Sequence, residues 1–184
     1  MAIVAADIPF RLTTKSGSAG NTTAQGNPAL SLGKYLSTTV WAGGTIHDLF
    51  QLLEAEENAG LITKYRALVI PNLHATLTLT GARAYFPNGI GTGSDVAVAV
   101  DTTAASLVGS ASAQGLEATT DTAPGASIVG LSYSAPTTYA TGVALGDIAP
   151  GYCRFLWVRR TGVNGPAQAS PQSVLLRVRG GTLG

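Results

Sequence analysis

The chain has 184 residues, a net charge of +1, 45% hydrophobic residues and only 11% charged ones. That length supports one sizeable core, and nothing in it resembles a second domain. A charged fraction so far below the usual quarter gives a polar but weakly charged surface, which suits packing against neighbours better than life as a free monomer held apart by charge.

Residues 1–6 lack a basic n-region and are too short for an h-region, and no run approaches transmembrane length, so synthesis in a cytosol and no membrane partner are expected. A strand is predicted over 7–12. Segment 13–27 is almost wholly Thr, Ser, Gly, Ala, Asn and Gln, which predicts an extended N-terminal arm over 1–27 ahead of a domain spanning 28–184. After the turn at Asn27-Pro28, residues 37–41 carry β-branched content. One helix is predicted at about 45–59. Thr45 and Asp48 have the spacing of an N-cap with an acid three residues on, Ile46, Leu49, Phe50 and Leu53 share a face, and Gly60 closes it. Glu54, Glu56 and Glu57 then form a solvated acidic face.

Strands follow at 64–70, 74–80, 82–86, 95–100, 128–133, 152–160 and 174–179, punctuated by turn residues such as Pro71-Asn72 and Pro87-Asn88-Gly89. Residues 102–124 have weak periodicity and either hold a strand or cross between sheets. The whole reads as all-β: a single antiparallel β-sandwich, jelly-roll or Ig-like, with one short helix and the arm. Gly146-Asp147 and Pro150-Gly151 read as turns. Beyond them Cys153, Phe155 and Trp157 alternate with Arg154, Leu156 and Val158.

Catalytic equipment is sparse. His47 and His74 stand beside neither a Cys nor a paired carboxylate, and Cys153 can form no internal disulfide and fits a core strand. The glycines at 89, 91 and 93 lead into a strand, so no helix N-terminus faces a phosphate. Asp7, Asp95, Asp101, Asp121 and Asp147 lie far apart, mostly beside turns, so a glycosidase pair has little support. No cofactor, no metal and no enzymatic activity are expected.

Charge is uneven. Residues 1–150 hold six Lys or Arg and ten acids, whereas 151–184 hold Arg154, Arg159, Arg160, Arg177 and Arg179 and no acid. Five arginines are a thin footprint for nucleic acid, which is not expected as a partner. They suit carboxylates of a protein partner or of the fold itself. With Phe10 and Arg11 of the arm they are the candidate interface residues.

Several motifs in order, Asn27-Pro28-x-x-Ser31-Leu32-Gly33, Tyr65-Arg66, Asn72 with His74-Ala75-Thr76-Leu77-Thr78-Leu79, Ala140-Thr141-Gly142-x-x-Leu145-Gly146-Asp147-Ile148-x-Pro150-Gly151, Trp157-Val158-Arg159-Arg160-Thr161 and Leu176-Arg177-Val178, resemble a group of small structural proteins of tailed bacteriophages. Lys34 departs from that pattern, standing where a second glycine is expected, and the ending Arg179-Gly180-Gly181 is more basic. The resemblance implies a virion component, head decoration or neck or tail, located in the particle after synthesis in the host cytoplasm. Its partners would be other copies of itself and other virion proteins, such as major capsid, connector or tail proteins. The alternative is a receptor- or glycan-binding β-sandwich on a virion appendage, for which Tyr133 and Tyr139 are the aromatic candidates.

Overall fold

The computed structural model describes residues 2–16, 23–43, 48–51, 54–90, 94–108, 115–163 and 174–182. Short runs of β-branched and aromatic residues between Gly, Pro and Asn satisfy their backbones by pairing. The strands are β1 (Arg11–Thr14), β2 (Tyr35–Val40), β3 (Thr63–Pro71), β4 (Leu79–Tyr85), β5 (Ser94–Val100), β6 (Ser106–Leu107), β7 (Val143–Ile148), β8 (Tyr152–Gly162) and β9 (Arg177–Thr182). The larger sheet runs β2-β1-β3-β8-β5, with β6 on the same edge of β8 as β5, and the smaller runs β7-β4-β9. All pairings are antiparallel. Packed together, the two sheets make the expected all-β sandwich.

β8 is central, and its period of two sorts its side chains between two cores. Leu156 and Val158 join Leu12, Leu68, Ile70 and Val98 against Leu79, Ala84, Leu145 and Ile148 of the smaller sheet. Cys153, Phe155 and Trp157 point the other way, where no sheet covers them. Loops do: Trp157 packs with Leu32, Ala118, Ile128 and Leu131, while Phe155, beside its sheet neighbours Leu36 and Val69, lies under Val108 and Gly115.

Loops over a core must satisfy their own polar groups, and three buried side chains serve them. The Ser31 hydroxyl donates to the Ala67 carbonyl at 2.6 Å and accepts the Thr13 N–H at 2.8 Å, while Thr13 Oγ1 accepts the Gly33 N–H at 2.7 Å. Asp101, 1% exposed, accepts Trp157 Nε1–H and Leu116 N–H on Oδ2, each at 2.8 Å, and Thr103 N–H on Oδ1 at 2.8 Å. Gly33, at φ +88°, has no room for a side chain: a Cβ there would lie 2.0 Å from Leu116 O and 2.8 Å from the Trp157 ring. The next residue, Lys34, is also left-handed, at φ +75°, which is the physical reason a second glycine suits that position.

Several local expectations are corrected. Of the arm over 1–27, Arg11–Thr14 is instead a strand seated between β2 and β3, with Leu12, Thr13 and Thr14 buried. Ahead of it, residues 7–10 are not extended: Ala5–Asp7 is a 3-10 turn closed by Asp7 Oδ2 on the Val4 N–H at 2.9 Å. The helix at about 45–59 is confined to α1 (Ala55–Ala59), and residues 44–47 and 52–53 lie outside the described residues. Asp48–Phe50 bends, because the Gln51 carbonyl accepts from Arg160 Nη1 at 2.7 Å and Phe50 sits against two guanidinium groups.

Strand 74–80 begins only at Leu79. Ahead of it His74 Nδ1 accepts the Thr76 and Leu77 N–H groups, and Asn72 Nδ2 donates to the Leu77 and Ile148 carbonyls. Residues 128–133 are not a strand. Ala126–Val129 is the helical turn α2, which brings Ile128 and Leu131 together over Trp157, a spacing that an extended chain would split between two faces. Gly146-Asp147 is not a turn but a bulge within β7, with Gly146 at φ +76° and Asp147 Oδ1 accepting the Gly81 N–H at 2.7 Å. The turn at Pro150-Gly151 stands, and it carries the chain from the smaller sheet to the larger.

Two stability effects follow. Asp101→Ala strands the indole N–H and the Leu116 amide, so urea unfolding is expected to show a loss of about 4 kcal/mol, with Asp101→Asn costing about half. Lys34→Gly relieves the left-handed backbone and forfeits an exposed ion pair to Glu117 and an exposed cation–π contact with Tyr35. It is expected to raise the unfolding free energy by about 0.5 kcal/mol in the same measurement.

Candidate functional site

The seven sequence candidates do not form one surface. Arg159 and Arg160 are neighbours in β8, so period two sends them to opposite faces. Arg159 pairs with Asp95 at 3.4 Å and lies over the Tyr133 ring, 5.0 Å from its centroid. Arg160 is 9% exposed and stacks on Phe50 at 5.0 Å. Arg154 donates through Nη1 to the Thr103 carbonyl. Phe10 meets Trp41 edge-on at 6.1 Å, and Arg11 is half-buried in β1 between Val69 and Val40. Burial lowers the pKa values of Arg11, Arg154 and Arg160, since desolvation opposes the charged form. These five side chains belong to the scaffold.

Arg160 belongs to a group of inward cations. Its strand partner in β3 is Lys64, and two residues on lies Arg66, 1% exposed, with its guanidinium 5.3 Å from the Phe50 centroid. Phe50 thus carries two guanidinium groups, an arrangement that the ring's negative face makes favourable. Asp121 pairs with Arg66 at 3.0 Å, and Glu57 pairs with Lys64. Desolvation lowers the pKa of Arg66, partly offset by Asp121, and the hydrogen bond from Lys64 holds the Glu57 carboxyl below its ordinary value.

Arg177 and Arg179 are different. Both are exposed, on β9 at the margin of the smaller sheet, and β4 sets Tyr85 opposite Arg177 and Arg83 opposite Arg179. Residues directly opposite in an antiparallel pair share a face, so Arg83, Arg177 and Arg179 lie together on the side away from the core. Tyr139 reaches over this face from the loop before β7. Its hydroxyl donates to Gly81 O at 3.0 Å, its ring meets Tyr85 edge-on at 6.5 Å, and Arg179 lies 5.3 Å from its centroid. Arg83 Nη1 donates to Gly142 O at 2.9 Å. None of the three arginines forms an ion pair among the described residues.

Sequence reasoning missed Arg83. Alternation in β4 does put it beside Tyr85, but only the pairing of β4 with β9 brings it to Arg179. The aspartates raised as a remote catalytic pair are engaged in scaffolding: Asp7 on Val4, Asp95 on Arg159, Asp101 on Trp157, Asp121 on Arg66 and Asp147 on Gly81. His47 and residues 91–93 lie outside the described residues, and among the described residues no three of His, Cys, Asp and Glu gather as a metal site. Tyr133 stands edge-on to Tyr65 with its hydroxyl buried, and burial pushes the phenol pKa up. Like Tyr139, it is covered by an arginine.

The Glu57 carboxyl has its pKa lowered on folding, so its contribution to stability is complete above the ordinary glutamate value and disappears as pH falls through the folded one. Glu57→Gln is therefore expected to cost up to about 1 kcal/mol at neutral pH. That cost should begin to fall below the ordinary glutamate value of about 4.3 and be lost as pH drops through the lower folded value, in denaturation curves taken across pH. Comparison with family models, curated proteins and solved structures gives no match to this chain.

Proposed function

We propose that this chain is a non-enzymatic structural component of a tailed-bacteriophage particle, a head-decoration or neck–tail protein that binds its neighbours through the outer face of the smaller sheet. The observation that carries the reading is Arg83, Arg177 and Arg179, gathered on one face with Tyr85 and Tyr139 and without an ion pair to a carboxylate among the described residues. Arginine and tyrosine are the residues that protein interfaces enrich, and a guanidinium meets a carboxylate in a bidentate, oriented way. The motif order that resembles small virion proteins points in the same direction. In the fold those motifs are structural: Ser31, Gly33, Asn72 and Trp157 tie loops to sheets.

A particle component of this kind needs a rigid body and an adhesive face. The rigid body follows from the two cores on either side of β8, and the face from three arginines that the body leaves uncompensated. Tailed particles purified by density gradient from a lysate encoding this chain are expected to contain it in many copies per particle by quantitative mass spectrometry. Arg177→Glu with Arg179→Glu should reduce that amount at least about tenfold, since two charge-assisted contacts become repulsive. Recovery of the chain only in the particle-free fraction would overturn the proposal.

A further inference from the structure

Two separate clusters stand out among the charges that have no internal ion partner. Lys15 and Lys34 share Glu117, Lys64 takes Glu57, Arg66 takes Asp121 and Arg159 takes Asp95. In exposed positions remain Arg177 and Arg179, with the half-buried Arg83, on the smaller sheet, Glu54 and Glu56 at the start of α1, and Asp147, whose Oδ1 takes the Gly81 N–H. The half-buried Asp7 and Asp48 also lack an ion pair among the described residues. α1 is anchored on the far end of β8, where Asn58 Oδ1 accepts the Val163 N–H at 2.9 Å and Gly162 lies close against the Asn58 backbone.

The arginine face is costly in isolation. Arg83 and Arg179 are directly opposite across β4 and β9, and like charges in that relation destabilise a strand pair. Tyr139 and the Gly142 carbonyl hold the two guanidinium groups in place but neutralise neither. An anionic partner removes the repulsion. Among the carboxylates without an ion pair, Asp7 and Asp147 accept backbone N–H groups and Asp48 is half-buried, whereas Glu54 and Glu56 are both exposed at the start of α1 and match a pair of exposed cations on another copy. A nucleic-acid occupant fits less well, because three arginines neutralise few phosphates.

We infer that copies of this chain associate with one another, the Arg83, Arg177 and Arg179 face of one copy receiving Glu54 and Glu56 of the next. This deepens the reading above and rests on its interface, not on residence in a particle. Each contact is a surface ion pair, so it weakens with salt and gains strength from repetition in a closed or extended array.

The test is sedimentation velocity of the purified chain at about 50 mM and about 500 mM salt, where the Debye length falls severalfold. The wild type is expected to self-associate at low salt and to dissociate at high salt. Arg177→Glu with Arg179→Glu, and separately Glu54→Lys with Glu56→Lys, should each abolish association. Arg83 is kept, because it also holds the Gly142 loop. Near-ultraviolet circular dichroism of the buried Trp157 confirms that each variant is folded. An equimolar mixture of the two variants should associate again, since each then offers the charge that the other lacks.

A wild type that stays monomeric at low salt, or two folded variants that fail to associate on mixing, would overturn the inference. So would association lost in the arginine variant alone, which would assign the face to another occupant. In the first of these cases, stoichiometric recovery from particles would leave the structural role standing with a different acidic partner.

Discussion

Everything in this fold follows from one imbalance: the larger sheet is apolar on both faces, and only one of them has a partner sheet. Leu156 and Val158 find the smaller sheet, but Phe155 and Trp157 have only loops to cover them. A loop can roof a core only if its peptide groups are bonded, because an unpaired buried amide costs about 1–3 kcal/mol. Hence buried polar side chains serve the roof. Asp101 collects an indole, two amides and a hydroxyl, and Ser31 and Thr13 form a relay from β1 to β3. The close approach of Gly33 to Leu116 and Trp157 is the same requirement expressed as space.

The sequence made some of this legible and hid the rest, for identifiable reasons. Strands β3, β5 and β8 have long β-branched and aromatic runs, and their positions are readable from pattern alone. β7 is not, because Gly146-Asp147 has turn chemistry and the fold uses it for a bulge stitched to Gly81, a partner 66 residues away. The helix pattern through Leu49 and Phe50 fails because Arg160, distant in sequence, captures the Gln51 carbonyl. A low-complexity composition marked the first 27 residues as an arm, but hydrophobic periodicity is uninformative for a strand as short as Arg11–Thr14. Such a strand is selected by Leu12 fitting beneath Leu68 and by the hydroxyls of Thr13 and Ser31.

The arginine content of the last third was visible, but its division was not. Composition treats Arg154, Arg159, Arg160, Arg177 and Arg179 as one basic end. The two sheets separate them into half-buried or buried groups and two exposed ones, and add Arg83 from far upstream. Buried guanidinium groups act here as amphipathic packing elements, stacking on Phe50 and Tyr133 while their edges bond to carbonyls or carboxylates. The pairing of β4 with β9 is therefore the step that turns a compositional bias into a surface.

The chain's two end strands are anchored unequally. β1 is clasped on both edges, by β2 and β3, whereas β9 is held on one edge by β4. Opening at the front of the chain would breach the larger sheet and its roof together. Release of β9 would leave the larger sheet closed and set free a strand that carries the exposed Arg177 and Arg179 along with an unpaired backbone edge. β9 is thus the strand whose release costs the rest of the fold least, and an edge strand of this kind is what chains exchange under crowding.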